Sequence, residues 1–174
     1  MITVDLSDLT KYEAILSDPT APIADRTDSL FCIKAFGEVE AVDALIRSFH
    51  KEPKSELLKH EICYCLGQMN KTEEHVQKIQ EFLEHVIDEK NGYPEIIVHE
   101  AVEAIGNMGQ EGSLELMKRF EGSESKMLYE TVFLARELIN WNKKTENGKS
   151  EGLDFKSFVY KTNDPAPPFN LKDP

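Results

Sequence analysis

Two stretches decide the fold when one is set above the other: Leu57-Leu-Lys-His-Glu-Ile-Cys-Tyr-Cys-Leu-Gly-Gln-Met69 and Ile96-Ile-Val-His-Glu-Ala-Val-Glu-Ala-Ile-Gly-Asn-Met108. Histidine, glutamate, glycine and methionine coincide, and the apolar positions agree in kind at the spacing of a helix that buries a face. A weaker copy precedes them, with Leu30-Phe-Cys-Ile-Lys-Ala-Phe-Gly37 beneath the stretch from His60 to Gly67. A weaker one still follows, with Tyr129-Glu-Thr-Val-Phe-Leu134 beneath His99 to Ala104. The offsets are about 30, 39 and 30 residues, near the period of solenoids whose unit is a helical hairpin stacked on its neighbours.

Working outward, apolar residues recur at helical spacing almost throughout, and strand alternation is nearly absent. Asp18-Pro19, Pro22, Gly37, Pro53, Asn70, Asn91-Gly92, Pro94, Gly109, Gly112 and Gly122-Ser123 punctuate the chain. About eight helices follow, the first near Leu6 to Ser17 and the last near Lys126 to Asn142. The predicted architecture is all-α: a HEAT-repeat solenoid of about four helical hairpins over residues 1–142. The longer middle offset is assigned to an insertion, Asp88-Glu-Lys-Asn-Gly-Tyr-Pro94, between a long outer helix and the next inner one. Residues 143–174 have little to bury, and Asp164-Pro-Ala-Pro-Pro168 cannot continue a helix, so they read as a largely irregular linker or tail. Its aromatics Phe155, Phe158 and Tyr160 are candidates for docking on the solenoid or on a neighbouring chain.

The 174 residues carry 20 Lys+Arg against 32 Asp+Glu, a formal charge of −12 that argues against a nucleic-acid partner. No apolar run approaches the roughly 20 residues of a spanning helix, and Met1 to Asp8 lacks the pattern of an export signal. The expectation is a cytoplasmic protein without a membrane partner. Cys32, Cys63 and Cys65 are read as reduced and mostly buried, and with no CxxC pair a thiolate zinc site is not expected. P-loop, GxGxxG and GxSxG motifs are also missing, which counts against hydride transfer on a Rossmann fold and against acyl transfer.

The doublets His60-Glu61 and His99-Glu100 are the constellation that asks for chemistry. Singly, each is an ordinary helix-surface pair; together they occupy the same position of the two best-matched repeats, so stacking brings His60 near His99 and Glu61 near Glu100. Adjacent helix residues point about 100° apart, so the histidines are expected to form one cluster and the glutamates another. A second, similar surface facing this one would complete a site, with carboxylates of one half reaching the histidines of the other. Mixed imidazole and carboxylate ligands suit iron or manganese, and bridging carboxylates suit two metals. His50, His75 and His85 lack such partners and are read as surface residues, and Met69 and Met108 as core. Glu103 follows His99 by four residues, on its side of the helix, where it either holds a substrate ammonium group or is a solvated charge. Gly67 and Gly106 permit close approach, either of helices or of a ligand.

Three stretches, Leu57 to Met69, Val98-His-Glu-Ala-Val-Glu-Ala-Ile-Gly106, and Tyr160 followed by Asp164-Pro-Ala-Pro-Pro168, resemble deoxyhypusine hydroxylase over nearly the whole chain. The resemblance implies a HEAT-repeat di-iron monooxygenase of hypusine biosynthesis, acting with molecular oxygen on the deoxyhypusine form of translation initiation factor 5A. It implies His60, Glu61, His99 and Glu100 as this chain's share of the ligands for two Fe(II) ions per complete site, with Glu103 and Gly67 on the substrate side. The usual form of that family has two pseudo-symmetric halves, and the chain resembles the amino-terminal one. A second enzyme half, or a homodimer partner imitating it, is therefore the implied companion. The competing reading is a non-catalytic HEAT-repeat interaction module, metal-free in isolation.

Overall fold

In the computed structural model, residues 6–146 are described. They form eight α-helices: α1 (Leu6–Ser17), α2 (Ile23–Phe36), α3 (Val39–Lys51), α4 (Glu56–Gly67), α5 (Glu73–Val86), α6 (Glu95–Met108), α7 (Ser113–Met117) and α8 (Lys126–Glu146). Two 3-10 turns, Glu89–Asn91 and Lys118–Phe120, complete the order, and no strand occurs among the described residues. The hairpins are α1–α2, α3–α4, α5–α6 and α7–α8, stacked so that α2, α4, α6 and α8 form an inner row and α1, α3 and α5 an outer one. This is the all-helical HEAT-repeat solenoid expected from the repeats, and every repeat copy lies on an inner helix. The fourth hairpin is abbreviated, since α7 has only five residues.

The two rows differ in how they bury themselves. Outer helix α3 hides Ala41, Val42, Ala44, Leu45, Ser48 and Phe49, one stripe of an amphipathic helix. Inner helix α6 hides Ile97, Glu100, Ala101, Val102, Ala104, Ile105, Gly106 and Met108, nearly all round, because it is covered by α5 as well as by α4 and α8. Side-chain caps start three of the helices: Ser55 accepts from the Leu58 amide, Thr72 from that of His75, and Ser125 from that of Leu128. The surplus in the middle repeat is split. The α5–α6 connection, 87–94, is longer than 52–55 between α3 and α4, and the α4–α5 connection, 68–72, is longer than 37–38 between α2 and α3. The insertion loop thus accounts for only part of the offset. Helix α8 runs to Glu146, past the expected boundary at 142; the rest of the tail, with Phe155, Phe158 and Tyr160, lies outside the described residues.

Two contacts fix the stack. At Gly67 an added Cβ would stand 2.7 Å from the Ala104 Cβ and 2.8 Å from its Cα; at Gly106 it would stand 2.7 Å from the Ala135 Cβ and 2.9 Å from its Cα. Helices α4 and α6 therefore each rest a glycine directly on an alanine of the next inner helix, which accounts for both glycines by helix packing. Gly67 is buried in that contact. The same contacts correct the register of the fourth copy: Ala135 takes the place of Ala104, so α8 follows α6 one residue later than Tyr129 set beneath His99 implies.

At the first corner, Arg26 and Glu52, 5% and 4% exposed, form a buried ion pair. Arg26 Nε also donates to the Leu16 carbonyl at 2.9 Å, while Glu52 Oε1 accepts from the amides of Lys54 at 2.8 Å and Ser55 at 2.7 Å. The pair thereby ties the end of α1, the start of α2, the end of α3 and the cap of α4. Burial opposes the Glu52 charge, but those amides and Arg26 outweigh it and hold the carboxyl below its ordinary range.

Gly106→Ala improves helix propensity by up to ~1 kcal/mol, yet it is expected to destabilise by about 1–3 kcal/mol because the methyl meets backbone; an unchanged or raised Tm would contradict the close approach. Glu52→Ala, which strands a buried guanidinium, is expected to cost about 3–5 kcal/mol in urea unfolding. A carboxyl held low contributes stability that is present above its unfolded pKa and is lost as pH falls through the folded value. Glu52→Gln should therefore flatten the fall in Tm below about pH 4.3, and an unchanged acid limb would remove Glu52 from that account.

Candidate metal centre

His60 sits on the second turn of α4, and His99 and Glu100 at the same turn of α6. Because Gly67 lets α4 lie against Ala104, the residues seven before that glycine and four before that alanine, His60 and Glu100, also meet. His60 Nε2 lies 3.0 Å from Glu100 Oε2, and His99 Nε2 lies 3.8 Å from the same oxygen. The two imidazole centroids are 5.5 Å apart, with the rings tilted at 36°. One ligating atom from each of His60, His99 and Glu100 falls within 4.8 Å of the others, and among the described residues this is the one group of three or more such side chains.

The doublets therefore do not separate into a histidine pair and a glutamate pair. Stacking brings Glu100 back onto His60 of the preceding inner helix, whereas the position before His60 in the repeat is Leu30. Glu61 stays half-buried at the rim, its Oε1 3.3 Å from His60 Nδ1. His99 Nδ1 lies 3.3 Å from Thr131 Oγ1 on α8, a contact the sequence reading did not contain. Thr131 was obscured by the one-residue register error, which set Glu130 rather than Thr131 beneath Glu100. Glu103 is half-buried one turn beyond His99 on α6.

Electrostatics separate the two histidines. The hydrogen bond to Glu100 raises the pKa of His60 against the pull of burial, and Glu61 adds to the rise. Burial lowers that of His99, and the neighbouring His60 lowers it further, while Glu100 only partly compensates. Glu100 is 4% exposed, and its Oε1 has no hydrogen-bond partner. A buried carboxylate oxygen left unpaired costs about 1–3 kcal/mol or more, and a cation at this point would satisfy it. Two imidazoles and one carboxylate are the donor set of non-haem iron sites that activate oxygen, so the residues fit such an ion.

The other candidates fall away from the cluster. His75 is not a surface residue: it is 3% exposed, its Nε2 donates to the Gly37 carbonyl at 3.2 Å, and its Nδ1 meets the Thr72 hydroxyl, so it ties α5 to the α2–α3 turn. His50 and His85 are exposed and pack edge-on to each other with centroids 5.8 Å apart. Met69 and Met108 are in the core. The three cysteines are free; Cys63 and Cys65 are buried and Cys32 is half-buried. Burial pushes the Cys65 thiol up to about 12. No helix among the described residues is long and apolar enough to cross a membrane.

No family model matches the sequence. Individual proteins do. The chain is 34% identical over 178 residues to the deoxyhypusine hydroxylase of Debaryomyces hansenii, covering 96% of this chain and 54% of that protein. It is 31% identical over 166 residues to that of Gallus gallus, covering 95% and 51%. Among solved structures, human deoxyhypusine hydroxylase in complex with glycerol matches with a TM-score of 0.75 at 29% identity, over 96% of this chain and 53% of that one. The chain is related to deoxyhypusine hydroxylases along nearly its whole length and spans about half of theirs.

In the metal-free protein, ring-proton NMR should show His60 holding its proton to a higher pH than an ordinary imidazole of about 6.5, and His99 releasing its own at a lower one. His60 then stabilises the fold below that ordinary value and ceases to do so as pH rises through its raised pKa. His99 acts in the opposite sense, its protonation opposing the fold at low pH. Glu100→Gln should draw the His60 midpoint down; coincident midpoints in the unsubstituted chain would contradict the arrangement.

Proposed function

We propose that the chain is one half of a deoxyhypusine hydroxylase, an iron monooxygenase of hypusine biosynthesis that acts in the cytoplasm on the deoxyhypusine side chain of translation initiation factor 5A. The convergence of His60, His99 and Glu100 carries the reading, on a fold shared with about half of human deoxyhypusine hydroxylase. The complete site takes two Fe(II) ions and uses molecular oxygen as co-substrate. His60, His99 and Glu100 would hold an ion from this chain, and Glu61, beside His60, would be its further carboxylate. Bound iron supplies the activation of oxygen; the chain's own residues place the substrate and keep the ligands apart from solvent.

Glu103, half-buried one turn beyond His99 on α6, is the carboxylate assigned to an amine of the extended substrate chain. Gly67 serves the site by bringing α4 onto α6. A groove of about 500 Å³ between the 87–95 connection and the 119–128 turn is lined by Asp88, Glu89, Glu95 and Glu121, with Arg119 as its one cation, and reaches Val98 beside His99. With a chain charge of −12, it suits the approach of a basic loop. The companion half, or a second copy of this chain, is supported by the inner helices: Ile23, Phe31, Leu57, Ile96, Tyr129, Phe133 and Trp141, the large apolar residues exposed among the described ones, all lie on α2, α4, α6 or α8.

The test loads the chain with Fe(II) without oxygen, then measures metal content and mass by light scattering on one sample, followed by hydroxylation of deoxyhypusine-bearing factor 5A. About one iron per chain in a two-chain assembly, with turnover, is expected. His60→Ala and His99→Ala should each abolish iron binding while helical circular dichroism is unchanged. Iron and activity retained in either variant would overturn the ligand assignment, and a metal-free chain would leave the interaction module as the reading.

A further inference from the structure

The contact between His99 and Thr131 repeats, one helix further on, the geometry that joins His60 to Glu100. In both cases the histidine lies seven residues before a glycine, Gly67 or Gly106, and the glycine rests on an alanine, Ala104 or Ala135. Four residues before that alanine stands the group the histidine meets: Glu100 on α6, Thr131 on α8. Residues four apart share a helix face, so the same close approach that delivers Glu100 to His60 delivers Thr131 to His99. Thr131 is 9% exposed, and its contact with the His99 ring is half-buried.

What differs is the ring nitrogen that is met. His60 turns Nε2 to its neighbour, whereas His99 turns Nδ1, 3.3 Å from the hydroxyl. A neutral imidazole protonated at Nε2 would aim that proton at Glu100 Oε2 across 3.8 Å, beyond hydrogen-bond reach. The tautomer protonated at Nδ1 can donate to Thr131 Oγ1, and it alone leaves the Nε2 lone pair facing Glu100 and available to a cation.

We propose that Thr131 is a positioning residue: lent by the fourth hairpin, it fixes the ring and tautomer of His99 so that Nε2 points at the centre. A ligating histidine whose other nitrogen is held in this way is pre-set for its ion, and loss of such a partner typically weakens metal binding by about tenfold to a hundredfold. The inference rests on reading His60, His99 and Glu100 as a metal site, and two readouts separate the two ideas.

The first readout is anaerobic titration of the full chain with Co(II), followed by its visible absorption. Thr131→Val, which keeps the branched shape and removes the hydroxyl, should weaken binding by about tenfold to a hundredfold. Thr131→Ser should restore it to within a few-fold, with the same Tm in both variants. Equal Co(II) affinity in the valine variant and the unsubstituted chain would overturn the proposal. The second readout needs no metal: long-range proton–nitrogen NMR of the neutral imidazoles should show His99 protonated at Nδ1 in the unsubstituted chain and in Thr131→Ser, and a mixture in Thr131→Val. A ring protonated at Nε2 in the unsubstituted chain would also overturn it. If no Co(II) binds while the tautomer follows the hydroxyl, the metal reading fails and the positioning role of Thr131 stands.

Discussion

The approach of α4 to α6 at Gly67 and Ala104 is the constraint on which the centre depends. With no side chain on Gly67 the helices close until an added Cβ would stand 2.7 Å from that of Ala104, and two turns earlier the same closeness brings His60 Nε2 to 3.0 Å from Glu100. A wider crossing would leave two half-exposed doublets on neighbouring helices with no common ion between them. Because Gly106 and Ala135 repeat the contact, α8 is drawn into the same arrangement, and Thr131 comes within 3.3 Å of His99. Packing and the candidate site are therefore one feature here: the glycines that let the solenoid stack also bring His60, His99 and Glu100 together.

Two buried glutamates show how structure and function use the same residue type differently. Glu52 is satisfied on both oxygens, by Arg26 on one and by the Lys54 and Ser55 amides on the other, and its task is to lock a corner of the fold. Glu100 is as deeply buried, yet its Oε1 has no partner. Among the described residues the other unpartnered buried side-chain atoms, Asn107 Oδ1 and Ser113 Oγ, belong to neutral groups. Native interiors seldom leave such atoms unpaired, and a carboxylate without its complement inside a set of imidazoles is the form an ion site takes.

Much of this was legible in the sequence because a solenoid writes itself as a repeat. The doublets, the glycines and the apolar positions of α4 and α6 matched over thirteen residues, and so gave the helices, their stacking and three of the gathered residues. The rest depended on register and direction, which periodicity does not carry. Setting Tyr129 beneath His99 put Glu130 beneath Glu100 and hid Thr131, the residue that α8 supplies. Pairing like with like sent the glutamates to one cluster, whereas stacking sends Glu100 back to His60 and leaves Glu61 beside its own neighbour. His75 was misread as a surface residue for a similar reason: its partners, the Gly37 carbonyl and the Thr72 hydroxyl, come together only when α5 docks on the α2–α3 turn.

The exposed apolar residues of the described chain lie on α2, α4, α6 and α8, the row that also carries His60, His99 and Glu100 on α4 and α6. The ligand cluster is the claim on which the account turns, and anomalous diffraction at the iron edge, from crystals of the chain grown with Fe(II) in the absence of oxygen, tests it most directly. The account predicts a peak bounded by His60 Nε2, His99 Nε2 and the Glu100 carboxylate. A fully loaded crystal whose iron lies elsewhere, or an iron-free cluster with His60 still bonded to Glu100, would contradict it.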